Sequence, residues 1–438
     1  MPPRPSIIAV RTQIGYGCPL EGTSACHGAP IGWDRIQATR EKLGVAASEP
    51  YTVPEDMYAF YHSASEQRGK KYTAWVEMME KYRSSYPELS AELDRRMKGE
   101  FEEGWEKNLP VYQPTEKDVA TRSISGKVLN YLAERYHEIS GGSADLTPSN
   151  NTNLTSTVPF SQEHPEGRYI HFGIREHAMG AICNGMYAYG GMRPFCATFF
   201  TFTCYMMGAI RMSAIQKFPV LYIMTHDSIG VGEDGPTHQP IEHLEQIRSM
   251  PDITVIRPAD ANETVGAYAV YMKSKLPVVM ALSRQTLPIL AHSDREAVAK
   301  GAYIIDDCED KPELIFVATG SEVSTCLKAK ELMEGVKVRV VSMPSCSLYD
   351  QQPLEYKKSL FPDGVPVLAV EAGSPSGWYK YAHSVYGISS FGVSAPAKDV
   401  FKYFHFTPED LAKTGCDLKN FYKDRCVPSL TDVFVPSF

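Results

Sequence analysis

Short apolar runs of strand length alternate with helical patterns over most of this chain. Phe195-Cys196-Ala197, Val220 to Met224, Ile253 to Ile256 and Val278 to Leu282 form one series. Leu314 to Ala318, Val338 to Val341 and Val367 to Val370 form a second. Runs this short and uniformly apolar suit strands buried on both faces. Helical patterns between them imply parallel sheets with helices on both sides, an α/β fold class. Tyr72, Trp75, Val76, Met79 and Tyr82 recur at helix spacing, and Pro87 predicts that helix's end. Ser6 to Val10 predicts one further buried strand, followed by a glycine-rich loop from Gly15 to Gly28. Asn108 to Thr115, with two prolines, predicts a linker. Three segments result: 1–114, 115–300 and 301–438. Trp378 and the aromatic stretch from Phe401 to Phe406 are expected in the core of the third, with an irregular tail around Pro436 and Phe438. The first segment is a problem, because a lone parallel strand lacks the neighbours that a sheet requires.

Composition narrows the classes. At 438 residues, the chain has length for two or three domains. Its 43% hydrophobic content fits a globular protein, and its net charge of −8 gives no reason to expect nucleic-acid binding. No apolar run reaches the length of a membrane span, and the start MPPRPSIIAVRT has no signal-peptide pattern. The ten cysteines form no CxxC pair, which argues against a zinc site or redox dithiol. Cys183, Cys196 and Cys204 lie in apolar stretches and are expected to be buried, and a reducing compartment, the cytoplasm with an organelle left open, follows.

Candidate chemistry concentrates in residues 226–240, His-Asp-Ser-Ile-Gly-Val-Gly-Glu-Asp-Gly-Pro-Thr-His-Gln-Pro. The loop follows the apolar run ending at Met224 and precedes Ile241 to Met250, a predicted helix with Pro240 in its first turn. His226, Asp227, Glu233, Asp234 and His238 share it with three glycines. Loops at the carboxyl ends of strands are where α/β folds place their sites. The plainer reading is a polar surface loop with glycines for turning.

THDSIGVGEDGPTHQPIE, which contains this loop, is similar to the pyrimidine-domain signature of the transketolases. GGSADLTPSN (141–150), FGIREHAMGAICNGM (172–186), ATFFTFTCYMMGAIRMSA (197–214) and SRQTLP (283–288) resemble the same family, in the family's order. The resemblance implies a thiamine diphosphate enzyme with a divalent metal, Mg²⁺ or Ca²⁺. Such an enzyme moves a two-carbon ketol unit from a ketose phosphate to an aldose phosphate. It also implies a homodimer, a pyrimidine-binding domain and a C-terminal α/β domain. SIIAVRTQIGYG resembles the last part of the family's diphosphate domain, which would therefore be incomplete here. The family's metal motif, Gly-Asp-Gly with a downstream Asn, has no counterpart, so no metal ligand is assigned. Weak thiamine diphosphate binding by the chain alone, and exposed apolar surface on its first segment, are expected.

Site residues carry over by motif. Glu176, in GIREHAMGA, stands where the family's carboxylate meets the pyrimidine N1′ and makes the cofactor's own 4′-amino group basic; burial of such a glutamate raises its pKa and suits proton sharing. On residue type alone, an ion pair with Arg175 is the alternative. Phe199, Phe202 and Tyr205 match the ring-binding aromatics, although such a stripe is ordinarily core. Arg122, Ser149, Arg284 and His226 match the phosphate end. Asp234 matches the reader of donor hydroxyl configuration, and His238 the proton-transfer group near the reacting carbonyl. Asp145 matches a residue near the thiazolium, and His27 one near the diphosphate and the reacting carbon.

Several readings of the chain follow. It is a fragment of an ordinary transketolase, one subunit of a split enzyme completed by a separate diphosphate-binding chain, or a non-catalytic dimerising relative. Among related thiamine enzymes, dihydroxyacetone synthase stays open, while the THDSIGVGEDGPTHQP wording disfavours the deoxyxylulose phosphate synthases.

Overall fold

A computed structural model describes residues 7–45 and 49–432. Ser6 and the tail at Pro436 and Phe438 lie outside the described residues. The chain forms two compact units, Met1–Ser90 and Ala91–Phe438.

The first unit is helical: α1 (Trp33–Leu43), α2 (Glu55–Ser85) and the start of α3 (Pro87–Lys98). The aromatic periodicity does mark a helix, and α2 ends before Pro87. Proline is tolerated in a first turn, and here it opens the next helix. Tyr72 and Trp75 stack with centroids 6.0 Å apart yet stay exposed. The predicted strand does not form. Residues 7–10 are irregular, with Ile7 97% exposed, and no strand occurs among this unit's described residues. A strand with no partner leaves its N–H and C=O groups to water.

The second unit holds two sheets. The first contains β1 (Ile139–Ser143), β2 (Tyr169–His171), β3 (Arg193–Phe199), β4 (Leu221–Thr225), β5 (Thr254–Ile256) and β6 (Val278–Leu282). All pairings are parallel, in the order β2-β1-β3-β4-β6-β5. Helices α4 (Thr121–Arg135), α5 (Thr147–Asn150), α6 (Glu176–Tyr189), α7 (Met207–Gln216), α8 (His243–Arg248) and α9 (Ala261–Lys273) intervene. One face packs Ile124, Val128 and Leu132 of α4 and Val265 and Tyr268 of α9 against Phe195, Ile223 and Met280. The other packs Met179 and Cys183 of α6 and Ile210 of α7 against Cys196, Tyr222 and Val279. Both faces of each central strand are thus covered, which is why these strands read as continuous apolar runs.

Strand β1, Ile-Ser-Gly-Gly-Ser, gave no apolar signal. Its glycines are required by close strand approach: a Cβ on Gly141 would lie 1.9 Å from the Phe195 carbonyl oxygen, and one on Gly142 1.7 Å from that of Ile170. The helix expected over Ile241 to Met250 shrinks to α8. The Ile241 carbonyl accepts from Ser374 N at 2.8 Å, outside any helical ladder, and Pro240 lies ahead of the helix. Cys183 and Cys196 are buried, whereas Cys204 is exposed on a 3₁₀ turn, a correction to the sequence reading.

The second sheet contains β7 (Tyr303–Asp306), β8 (Leu314–Ala318), β9 (Val338–Ser342), β10 (Val367–Val370) and β11 (Ser384–Tyr386), in the order β11-β10-β8-β9-β7, with only β7 antiparallel. Trp378 and Phe406 are buried beside it, while Tyr403 is exposed. Enclosed polar clasps join the two sheets. Arg257 donates to Asp227 at 2.7 Å, to Thr319 O at 3.0 Å and to Glu322. Arg248 makes two 2.8 Å bonds to Glu371. Tyr303 donates to Glu263 at 2.8 Å.

Candidate active site

Four neighbouring strands, β1, β3, β4 and β6, end on the same edge, and most candidate residues follow those ends. Ser149 lies after β1, Phe202 and Tyr205 after β3, His226 to His238 after β4, and Arg284 after β6. The strand order reverses beside β1, and such reversals open crevices at carboxyl ends.

Phe199 closes β3 and passes directly into a 3₁₀ turn, Phe200–Tyr205. With three residues per turn, side chains at i and i+3 eclipse. Phe199 and Phe202 therefore stack at 5.8 Å and 11°, and Phe202 and Tyr205 follow at 5.9 Å. The series runs from buried Phe199 to Tyr205, which is 65% exposed. The His226 ring lies on Phe199, with centroids 3.7 Å apart. The His238 ring meets Phe202 edge-on at 5.4 Å.

His226 has φ of 64°, a left-handed conformation uncommon outside glycine. It is buried, and its Nδ1 lies 2.8 Å from Thr225 Oγ1. Burial first, then Arg122, Arg284 and His238, lowers its pKa to about 3. The ring is neutral at physiological pH. Burial and the nearby Arg284 also lower Arg122, whose guanidinium donates to Ser149 O and whose Nε is enclosed without a partner. Among the described residues, neither Arg122 nor Arg284 meets a carboxylate, so this corner holds two cations free to receive an anion.

The depressed pKa has a consequence for stability. Between about pH 3 and 6.5, the native state binds fewer protons at His226 than the unfolded chain does. Stability from this group therefore rises with pH through that window and is complete above it. The variant His226→Gln is expected to reduce the slope of unfolding free energy against pH there by up to about 1.4 kcal/mol per pH unit. Denaturant titrations at several pH values check this, and an unchanged slope refutes it.

Glu176 opens α6 and is 8% exposed. The ion pair with Arg175 is not made: that guanidinium donates to Phe172 O at 3.0 Å. Among the described residues, the Glu176 carboxylate has no hydrogen-bond or ion-pair partner. Its helix packs against the 3₁₀ turn that carries Phe202 and Tyr205.

Asp145 and Asp234 are exposed and make no side-chain bond to the cluster. His238 is half-buried, with Nδ1 2.9 Å from Thr237 Oγ1. His27, exposed after a short 3₁₀ turn, belongs to the first unit. The roles of two groups escaped the sequence reading. Asp227 is a clasp residue, turned to Arg257. Thr225, Asn150 and Ser143 form a buried chain behind His226. Thr225 and Asn150 adjoin His226 and Ser149 in the quoted motifs, but nothing in one dimension pairs them.

Known proteins resemble this chain over most of its length. Residues 1–102 match the model for "Transketolase, thiamine diphosphate binding domain", 117–289 that for "Transketolase, pyrimidine binding domain", and 301–407 that for "Transketolase-like TK C-terminal domain". The chain is 45% identical to a transketolase of Scheffersomyces stipitis, over 97% of this chain and 64% of that protein. A crystal structure of a transketolase from Pichia stipitis in complex with sedoheptulose 7-phosphate superposes with a TM-score of 0.92 at 45% identity, covering 96% of this chain and 64% of that one. The chain thus spans just under two thirds of the length of these relatives. A chloroplastic transketolase of Craterostigma plantagineum is 45% identical over 95% of this chain and 82% of its own length. Similarity of that extent, with three domain models matched in order, means that the chain belongs to the transketolase family.

Proposed function

We propose that this chain carries the pyrimidine and sugar-phosphate side of a transketolase site, and that the protein transfers a two-carbon ketol unit from a ketose phosphate to an aldose phosphate. The observation behind this reading is the pair of carboxylate-free guanidinium groups, Arg122 and Arg284, beside a neutral His226 and an aromatic stack. Arg122, Arg284, Ser149 and His226 take the phosphate. Asp234 reads the sugar hydroxyls, and His238 moves a proton at the reacting oxygen. The residues present fit a pyrimidine ring: Tyr205 leaves a face open, and Glu176 is a largely buried residue whose carboxylate has no protein partner among the described residues. Thiamine diphosphate, when bound, supplies the carbon nucleophile for the ketose carbonyl. Phe199, Phe202 and Tyr205 orient its ring and exclude water, while Glu176 holds a proton at N1′. Asp145 and His27 are assigned to the cofactor by motif. Among the described residues, no group of three or more His, Cys, Asp or Glu could hold a metal ion, and no metal ligand is assigned to this chain.

The domain boundaries 1–114, 115–300 and 301–438 and a homodimeric assembly belong to the same proposal. All ten cysteines are free thiols, which supports a reducing compartment such as the cytoplasm. Among the described residues, no helix is long and apolar enough to cross a membrane.

Fructose 6-phosphate and fructose test the substrate class by calorimetry. The ester is expected to bind, with fructose far weaker. Loss of one charged hydrogen-bonding partner in Arg284→Gln is expected to cost about 10- to 100-fold in affinity. Equal affinities for sugar and ester remove the reading. Thiamine diphosphate with Mg²⁺ is expected to bind the chain alone more weakly than about 10 µM, or about 7 kcal/mol. Tighter binding means that this chain completes the diphosphate end itself.

A further inference from the structure

The buried chain behind His226 has a direction, and the direction is set at its far end. The Ala197 carbonyl can only accept, so the Ser143 hydroxyl, 3.1 Å away, donates to it. Having used its one hydrogen, the Ser143 oxygen accepts from Asn150 Nδ2 at 2.8 Å. That turns Asn150 Oδ1 toward Thr225, whose hydroxyl donates to it at 2.7 Å. Thr225 has then spent its only hydrogen. The nitrogen 2.8 Å from its oxygen, His226 Nδ1, must therefore carry a proton. Ser143, Asn150 and Thr225 are fully buried, so water does not substitute for any link.

A neutral imidazole has one N–H. With Nδ1 holding it, Nε2 is a bare lone pair, and among the described residues it has no protein hydrogen bond. The charged and titratable groups facing the ring are Arg122 from α4, Arg284 after β6 and His238 from its own loop. Asp227 is turned away to Arg257. The surroundings are cationic and keep the ring neutral. A phosphate ester dianion suits the two guanidinium groups, but it presents only acceptors to Nε2, and two facing lone pairs repel.

We propose that the Ser143–Asn150–Thr225 chain locks His226 as the Nδ1–H tautomer and makes this a proton-coupled anion site, which holds a phosphate ester with one added proton between an ester oxygen and His226 Nε2. This rests on the reading of Arg122, Arg284 and His226 as a phosphate site. No covalent bond other than that to the proton forms or breaks. With a second ester pKa of about 6, the ligand is a dianion at pH 8, and the proton comes from solvent. Thr225, Asn150 and Ser143 are positioning residues.

Two measurements test this on the full chain. In ¹⁵N-histidine-labelled protein, with His226 assigned by its absence in His226→Asn, NMR is expected to show protonated Nδ1 and unprotonated Nε2. The opposite tautomer overturns the proposal, whether or not any phosphate binds. Calorimetry of fructose 6-phosphate at pH 8, in buffers of different ionisation enthalpy, is expected to show uptake of about one proton per ester bound. Binding without uptake overturns the proposal and leaves the phosphate site standing; no binding removes both. In Thr225→Val, of similar size, the lock is gone, and a neutral Nε2–H can donate directly. Uptake is expected to fall toward zero while the ester still binds, and unchanged uptake counts against the chain's role.

Discussion

Glu176→Gln is expected to lower ketol transfer by about 10²- to 10⁴-fold, the range over which a positioned proton-transfer group acts. The same change is expected to leave folding stability within about 0.5 kcal/mol. Both expectations follow from the surroundings of this carboxylate. It is 8% exposed yet bonded to no protein group among the described residues, since Arg175 donates to Phe172 O instead. Glutamine keeps the shape and breaks no ion pair, so folding loses little. What it removes is the carboxylate that we assign to a ring nitrogen of the cofactor. The assay follows ketose phosphate consumption with thiamine diphosphate and Mg²⁺, with a complementing diphosphate-binding chain added if the protein requires one, alongside thermal unfolding of both proteins. Retained activity overturns the assignment. Lost activity with an equally large loss of stability makes Glu176 structural instead.

Arg257→Leu is the largest expected stability change. Arg257 is fully buried between two sheets and holds Asp227 and Glu322, which are 2% and 1% exposed. Removing the cation leaves two enclosed carboxylates without their counter-charge, and breaking such a buried pair costs about 3–5 kcal/mol. For a unit of this size, a fall in Tm of about 4–7 °C is expected. Because Asp227 follows His226 directly, phosphate affinity is expected to fall as well. Neutralising both acids in Arg257→Leu/Asp227→Asn/Glu322→Gln is expected to restore part of the loss. A fall of under about 2 °C for the single variant means that water reaches the carboxylates, and that the clasp contributes little.

How far the sequence reaches can be judged element by element. Val278–Leu282, Leu314–Ala318 and Val367–Val370 were legible to the residue, because a strand covered on both faces has no polar position to blur its edges. β1 was not legible, since its glycines answer to neighbouring strands' carbonyl oxygens and carry no propensity of their own. The Ser6 to Val10 strand failed for the opposite reason. Its residues have strand character, but pairing is a property of two segments, and residues 7–10 find no second one.

The site divides in the same way. Sequence alone determined the α/β class, the loop that concentrates the chemistry and, through ordered motifs, the family. These depend on local composition and spacing, which one dimension preserves. Only the tertiary structure decided that His226 is buried beside Arg122 and Arg284 with its pKa lowered, that Asp227 serves a clasp, and that Ser143, Asn150 and Thr225 form a buried hydrogen-bonded chain behind His226. Charge, burial and hydrogen-bond direction depend on neighbours that are distant in the chain. Thr225 and Asn150 stand 75 positions apart in sequence and 2.7 Å apart in space, a closeness that arises only once β1 and β4 flank β3 in a common sheet.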